Sequence, residues 1–315
     1  MKVVYVTGCC GFIGGYVTRN CLSQGWRVIG VDKMTYASNP ELLNEFEPNP
    51  NFKFIRSDIN DLERLMECDY VINTAAESHV DNSIVDSKVF MHSNVNGVHH
   101  LLELILHKRQ FRMPVFLHFS TDEVYGDIEN GSHTEVDILK PSNPYSASKA
   151  AADMLVYAWA RTFNVPYVIV RPTNNYGIGQ YVEKLIPKST KHLSLDKPIH
   201  LHDHGDPVRT WLHANDTARA VHTIIESGAV NEIYNISGNA QLPNKTVVQQ
   251  IINTYYDKDL TNSWRHYVEN IERAGQDVRY SVDDSKLKSL GWQAVAEFET
   301  ELKNIVLHYK ENFVW

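Results

Sequence analysis

Along the first 172 residues, short apolar runs alternate with longer stretches in which apolar positions recur every three or four residues. The runs at 2–7, 27–32, 53–56, 70–74, 115–120 and 167–171 are rich in Val, Ile, Phe and Tyr and nearly continuous in apolarity. Strands buried on both faces of a parallel sheet have this character, whereas half-exposed strands alternate apolar with polar. The intervening stretches 14–24, 89–108 and 146–162 carry a helical period. In the last of them Ala150, Met154, Tyr157 and Ala160 fall at spacings of three and four. Strand–helix alternation of this kind predicts an α/β fold, a doubly wound parallel sheet.

Past Arg171 the rhythm loosens. Two polar stretches, 174–209 and 238–286, read as loop-rich excursions and flank a return of the αβ pattern at 211–237. The pattern predicts a core domain over 1–172, to which 211–237 returns, and a smaller region over 173–315. No internal repeat or low-complexity segment interrupts it.

Composition narrows the function classes. The chain has 315 residues, 43% hydrophobic and 22% charged, which suits a globular protein with a sizeable core. A formal net charge of -8 argues against a general nucleic-acid or membrane partner, since both select basic surfaces. No secretory leader is read at Met1–Thr7 and no apolar run approaches membrane-spanning length, so a cytoplasmic protein is expected. The four cysteines, Cys9, Cys10, Cys21 and Cys68, lack the paired spacing of a zinc site. Cys9 and Cys10 are read as small residues filling a tight loop in a reducing compartment, with a redox pair as the alternative.

Candidate chemistry begins at Thr7-Gly8-Cys9-Cys10-Gly11-Phe12-Ile13-Gly14, between the first strand and the first helix. Glycines at 8, 11 and 14 permit a tight turn, close approach of backbone to a pyrophosphate and close helix–strand packing. The helix start, at Phe12 and Ile13, then offers free N–H groups and a positive dipole end. Asp32, at the end of the second strand, is placed to accept hydrogen bonds from an adenosine ribose and to repel a 2′-phosphate. The expectation is an NAD site, with Asp58 and Ile59 after the third strand as candidates to hold the adenine. That makes 1–172 the NAD-binding domain and leaves 173–315 mainly to the substrate.

Tyr145 and Lys149 stand four apart at the start of a helix and therefore on one face. A phenol is a useful base near neutral pH only if its pKa of about 10 is lowered, and an adjacent ammonium has that effect. Upstream, Ser120-Thr121-Asp122-Glu123-Val124-Tyr125-Gly126 follows a strand end, where ligand sites of open α/β sheets collect.

With these motifs the chain resembles the extended short-chain dehydrogenase/reductase family, and within it the sugar-nucleotide 4,6-dehydratases. The resemblance spans nearly the whole chain: the glycine loop, Asp32–Ala37, Ala75–Asp81, Thr121–Gly126, Tyr145–Lys149, Arg171–Gly177, Glu183–Pro187, Arg209–Trp211 and Arg279–Asp283. It implies that Ala75 joins the cofactor site and His79 the substrate site. It also implies that Asn174, Lys184, Arg209 and Arg273 contact the phosphates, ribose or base of a nucleotide diphosphate.

In that family Asp122 and Glu123 discriminate. Related 4-epimerases carry small uncharged residues there, and the decarboxylases keep the Glu but usually have Ser for the Asp. A dehydratase must remove the C5 proton and expel the C6 hydroxyl, which requires a base and an acid. The implied cycle has Tyr145, aided by Lys149 and Thr121, take the C4 hydroxyl proton as hydride leaves C4. Glu123 then removes the C5 proton and Asp122 protonates the departing hydroxyl, before hydride returns to C6.

Three departures bear on the substrate. Asn82 stands where deoxythymidine-type dehydratases usually have Arg. Gln276 stands where a His is common, and Asp203-His204-Gly205 replaces Gly-Asp-Gly. These lean toward UDP-glucose or UDP-N-acetylglucosamine as the nucleotide-diphosphate hexose. His200, His202 and His204 would share a strand face, but nothing in the chemistry requires a metal. C5 epimerisation accompanying dehydration stays open. So do a 4-epimerase or decarboxylase of the same family, and a catalytically idle NAD-binding sensor. Excess apolar residues on 89–108 and 146–162 predict a homodimer, since related enzymes pair through equivalent helices.

Overall fold

The computed structural model describes residues 1–272 and 277–312. The six apolar runs are strands: β1 (Val3–Thr7), β2 (Arg27–Asp32), β3 (Phe52–Arg56), β4 (Tyr70–Asn73), β5 (Val115–Phe119) and β6 (Tyr167–Pro172). Together with β10 (Glu232–Ile236) they form one seven-stranded sheet in the order β10-β6-β5-β4-β1-β2-β3, every neighbouring pair parallel. The doubly wound expectation is met.

Near-continuous apolarity has its explanation in the two faces. Val4, Val6, Val28 and Ile72 pack on one side with Val17, Val221 and Ile224 from the helices Phe12–Ser23 and Ala214–Glu226. Tyr5, Ile29, Val71 and Phe116 pack on the other with Leu101, Ile105 and Val156 from Gly97–Leu106 and Pro144–Phe163. Both faces are covered by helices, so a polar residue on either would need a buried partner.

The expected helix at 89–108 is continuous through 88–106, but a π-helical turn, Met91–Asn96, interrupts it. Such turns break the i→i+4 ladder and commonly sit at functional positions. Here the turn carries Ser93 into the wall of a cleft and aims Asn94 at Ser148, 2.9 Å away on the next helix.

The stretches expected to be loop-rich are more regular than their polarity suggests. They hold β7 (Asn174–Tyr176), β8 (Ile199–His202), β11 (Ala240–Pro243), β12 (Val268–Ile271) and the helices Leu185–Ser194 and Asn244–Tyr256. β9 (Val208–His213) lies between β11 and β7 in a second sheet, and β8 pairs β12. Each helix buries a narrow stripe, Ile186 and Leu193 in one and Val247, Val248, Ile251 and Ile252 in the other. These stripes meet Phe298, Ile305 and Tyr309 of the last helix, Phe298–Glu311, in a separate small core. A stripe that narrow is outvoted by the polar residues around it when the sequence is scanned for apolar runs.

The order of the main sheet reverses at β1, which has β2 on one side and β4 on the other. Successive crossovers leave in opposite directions there, opening a crevice at the carboxyl ends of the strands. The site occupies that crevice.

Candidate active site

The glycine loop leaves β1 in the geometry its residues require. Gly8 has φ +70°, and a Cβ on Gly14 would sit 1.9 Å from the Gly8 carbonyl oxygen, so a side chain at either position would break the turn. No side chain caps the helix Phe12–Ser23, and its first turn has no acid. Its leading N–H groups therefore face the crevice as an anion site.

Two clefts meet on this loop. One runs past Asp32, Asp58, Ile59 and Ala75 toward the ends of β2 and β3. The other, about 1160 Å³ with its open mouth, is lined by Phe12, Ile13, Thr121, Asp122, Glu123, Tyr145, Lys149 and Asn174. Gly8, Gly11, Thr74 and Ala76 wall both, so a continuous trough joins Asp32 to Tyr145. A dinucleotide fits this trough, with an acid at one end, bare helix amides in the middle and the Tyr/Lys pair at the other.

Asp32 is organised by three donors, one from the glycine loop and two from the stretch that follows β2. Its oxygens accept from Cys10 N at 3.0 Å, Met34 N at 2.7 Å and Ser38 Oγ at 2.9 Å. Cys9 and Cys10 are fully buried, as small loop-filling residues should be. Although their thiols lie near Asp32, its oxygens are already engaged by these three donors. Asp58 accepts from Asn60 and pairs with Lys33 at 3.2 Å. Burial opposes its charge, but the Asn60 donors and Lys33 together hold its carboxyl below the usual range. Lys33, on this cleft, stands within the Asp32–Ala37 motif but was given no role there, and Ser93, also on it, lies in none of the motifs read from the sequence.

The catalytic candidates converge. After β5, Thr121 caps the tight turn Asp122–Tyr125, its Oγ1 accepting from Glu123 N at 3.3 Å and donating to Asp122 Oδ1 at 3.2 Å. Asp122 Oδ2 is buried and has no hydrogen-bond partner among the described residues. Burial first, then the neighbouring Glu123 charge, pushes Asp122 up to about 7. Burial also raises Glu123, but Arg209 and the Asn143 amide hold it back. The two acids are thus divided, Asp122 a proton donor and Glu123 the readier acceptor.

Tyr145 and Lys149 project from Pro144–Phe163, whose start is fixed by a capping box. Asn143 accepts from Ser146 N at 2.9 Å while Ser146 Oγ accepts from Asn143 N at 3.3 Å. The same Asn143 donates its side-chain N–H to Glu123 at 3.5 Å. Its role was missed in the sequence, where Asn-Pro ahead of a helix signals a cap and nothing more.

One expectation needs correction. Burial, with Glu123 and Asp122 nearby, holds the Tyr145 phenol above its ordinary value against a hydrogen bond from Thr121, and no lowering by Lys149 is found. Lys149 is itself pushed down to about 8 by burial, opposed by Asp153 one turn on. Asp153 in turn pairs with the buried Arg171 at 2.9 Å, so the charge under the helix is largely shared inside that group.

The substrate candidates are placed unevenly. Asn174 and Lys184 line the cleft; Asn174 Oδ1 is buried without a partner among the described residues, and Lys184 Nζ donates to Ser78 O at 2.7 Å. Arg209 donates to the carbonyls of Val208 and Asp277 and lies over the Tyr280 ring at 4.6 Å. His79 caps the short helix Val80–Val85, with Ser78 rather than its own ring on the cleft wall. Burial, followed by the Lys184 charge, lowers its pKa to about 4. Asn82 hydrogen-bonds Tyr36. Arg273 and Gln276 lie outside the described residues. Among the described residues, His200, His202 and His204 do not gather closely enough to hold a metal ion.

The GDP-mannose 4,6-dehydratase family model matches residues 5–305. The chain is 39% identical to dTDP-glucose 4,6-dehydratase of Haemophilus influenzae over 339 residues, covering 99% of both chains. It is 38% identical to the Arabidopsis thaliana trifunctional UDP-glucose 4,6-dehydratase/3,5-epimerase/reductase, covering all of this chain and 48% of that longer protein. Among solved structures, the dTDP-glucose 4,6-dehydratase DesIV of Streptomyces venezuelae, crystallised with NAD, superposes with a TM-score of 0.92 at 35% identity, covering 100% of this chain and 98% of that one.

Proposed function

Because the chain belongs to the GDP-mannose 4,6-dehydratase family of extended short-chain dehydrogenases, we propose that it converts a nucleotide-linked glucose to its 4-keto-6-deoxy derivative. It is a hydro-lyase that works with NAD. The observation that carries this reading is the divided acid pair, Asp122 and Glu123, set at the strand end beside Tyr145 and Lys149.

Bound NAD supplies a reversible hydride acceptor and a positive charge. The glycine loop and the amides of Phe12 and Ile13 hold its pyrophosphate, Asp32 its adenosine ribose, and Asp58 with Ile59 the adenine end. Tyr145 takes the C4 hydroxyl proton, with Thr121 on the sugar oxygen and Lys149 beneath. The resulting ketone acidifies C5, from which Glu123 removes the proton. Asp122 protonates the C6 hydroxyl, which leaves as water. Glu123 then returns its proton to C5, where a bound cofactor would supply the hydride for C6. Asn174 and Lys184 meet the nucleotide diphosphate from the opposite wall, and Arg209 helps keep Glu123 ionised.

For the base, the relatives named as dTDP-glucose dehydratases support deoxythymidine ahead of the uridine to which Asn82 leaned. Asn82 engages Tyr36, which weakens it as a reader of the base. UDP-glucose stays as the second reading on the Arabidopsis relative. Offering dTDP-glucose, UDP-glucose and UDP-N-acetylglucosamine to the purified protein, with products identified by mass and NMR, tests the reading. A 4-keto-6-deoxy product from dTDP-glucose is expected; turnover to a C4 epimer alone would overturn it.

The enzyme acts as a homodimer. Ile84, Val85, Val89, Met91 and Met154 form an exposed apolar row on neighbouring helical segments, Val85 being 88% exposed. A monomer by light scattering at micromolar concentration would refute the pairing. Among the described residues no helix is long and apolar enough to cross a membrane.

A further inference from the structure

The dinucleotide trough has a neck. Its two clefts share Gly8, Gly11, Ala37, Thr74 and Ala76, so the passage from the Asp32 end to the Tyr145 end runs between the glycine loop and Ala37. A dinucleotide is wide at its two nucleosides and narrow at the pyrophosphate between them. With its pyrophosphate on the glycine loop, an occupant of that shape leaves sideways rather than lengthwise, past whatever spans the neck.

Tyr36 spans it. The stretch after β2 folds into an arch with both feet on the cofactor floor. Asp32 accepts from Met34 N at 2.7 Å and Ser38 Oγ at 2.9 Å, and Asn39 N donates to Cys10 O at 2.7 Å. Ser38 N donates to Thr35 O at 3.1 Å, which closes the turn and puts Tyr36 and Ala37 at its crest. From there the Tyr36 hydroxyl donates to Glu77 Oε2 at 3.2 Å, on the segment after β4. Its ring stands edge-on to Tyr181, centroids 5.3 Å apart, on the segment after β7. Glu77 walls the cleft that holds Asp32, and Tyr181 walls the one that holds Tyr145. Tyr36 is 52% exposed, yet it is tied down at both ring and hydroxyl, and its two ties lie on the two halves of the trough.

We propose that Tyr36, Tyr181 and Glu77 form a clasp over the neck that keeps NAD in the trough through the whole cycle. The proposed reaction gives the clasp its use: the hydride taken from C4 must come back to C6, so an enzyme that released its cofactor midway would leave the sugar unfinished. The contacts of the clasp are all within the protein, so its barrier acts on entry and exit alike. A side chain that gripped the cofactor directly would slow exit alone. The inference rests on the NAD-dependent dehydratase reading and adds to it the residues that close the trough.

The test is the exchange of bound NAD. Protein saturated with NAD is mixed with an excess of isotope-labelled NAD, and the bound label is followed by mass after rapid filtration. Equilibrium dialysis of the same protein gives Kd, and the release rate divided by Kd gives the association rate. Tyr36→Ala removes the ring contact and the hydrogen bond together, so release should speed about tenfold, with association faster by a similar factor and Kd nearly unmoved. Tyr181→Ala should speed both rates in the same way, and adding it to Tyr36→Ala should speed release no further, since one clasp is already open. Tyr36→Phe keeps the ring and should fall between the wild type and Tyr36→Ala. Release unchanged from the wild type in Tyr36→Ala, or a Kd that weakens as much as release speeds, refutes the clasp while the dehydratase reading stands. If the wild type binds no NAD at all, the reading itself fails and takes the clasp with it.

Discussion

Asn143 binds Glu123 and the catalytic helix with the two ends of one amide: its nitrogen lies 3.5 Å from Glu123 Oε2 and its oxygen 2.9 Å from Ser146 N. The base on the turn after β5 and the Tyr/Lys pair on the helix are therefore registered to each other by a single side chain. Asn143→Ala should cost about 1 kcal/mol of stability through the lost cap. Asn143→Asp keeps the cap but sets a second carboxylate against Glu123. Melting temperature should drop in the first variant through the lost cap and in the second through the buried like charge, while turnover drops in both. Unchanged turnover in Asn143→Asp would show that the amide acts on the helix alone.

The acid pair should split the reaction at C5. Glu123→Gln is expected to lose exchange of the C5 hydrogen with solvent deuterium, because an amide cannot accept that proton. Tyr145→Phe should lose the same exchange for an earlier reason, since no C4 ketone forms to acidify C5. Asp122→Asn should retain it while loss of the C6 oxygen slows by ~10²–10⁴-fold, the worth of a general acid. Mass analysis of recovered sugar in deuterated buffer distinguishes the three. A Glu123→Gln variant that dehydrates at the wild-type rate would remove the basis for the assignment.

Asp122 must carry a proton to act, and burial with the Glu123 charge lifts its pKa to about 7. The rate of C6–O cleavage should be highest below pH 7 and fall as pH rises through it, and Asp122→Asn should flatten that limb. Stability moves in the same sense. A carboxyl raised in the folded state favours folding most when protonated in both states, and that advantage is lost as pH rises from about 4 to about 7. Asp122→Asn should therefore gain in melting temperature over the wild type as pH increases. A constant difference from pH 4 to pH 8 would contradict the assignment.

Asp32 holds its position through Cys10, Met34 and Ser38, so its charge is fixed where a ribose would meet it. Hydrogen bonds to a charged group contribute about 1.5–3 kcal/mol. Asp32→Ala should thus weaken NAD binding by roughly 10- to 100-fold on that scale, and relax discrimination against NADP, read by calorimetric titration with both. A wild type that prefers NADP would refute the role of Asp32.

What the sequence determined on its own follows from local rules. Strands buried on both faces need continuous Val, Ile and Tyr, so β1 to β6 were written in composition. The glycine loop was legible because a left-handed φ at Gly8 and the contact at Gly14 exclude a side chain. Tyr145 and Lys149 share a face by helical geometry alone. Only tertiary structure decided the rest. The helices 185–194 and 244–256 bury stripes too narrow to stand out, and their partners arrive from the distant segment 298–311. That Asn143 reaches Glu123, that Asp153 and Arg171 share charge beneath Lys149, and that the Tyr145 phenol is held up rather than down all depend on contacts between residues 18 to 24 positions apart. Proton affinity is set by burial and by neighbouring charge, and neither exists until the chain has folded around the group.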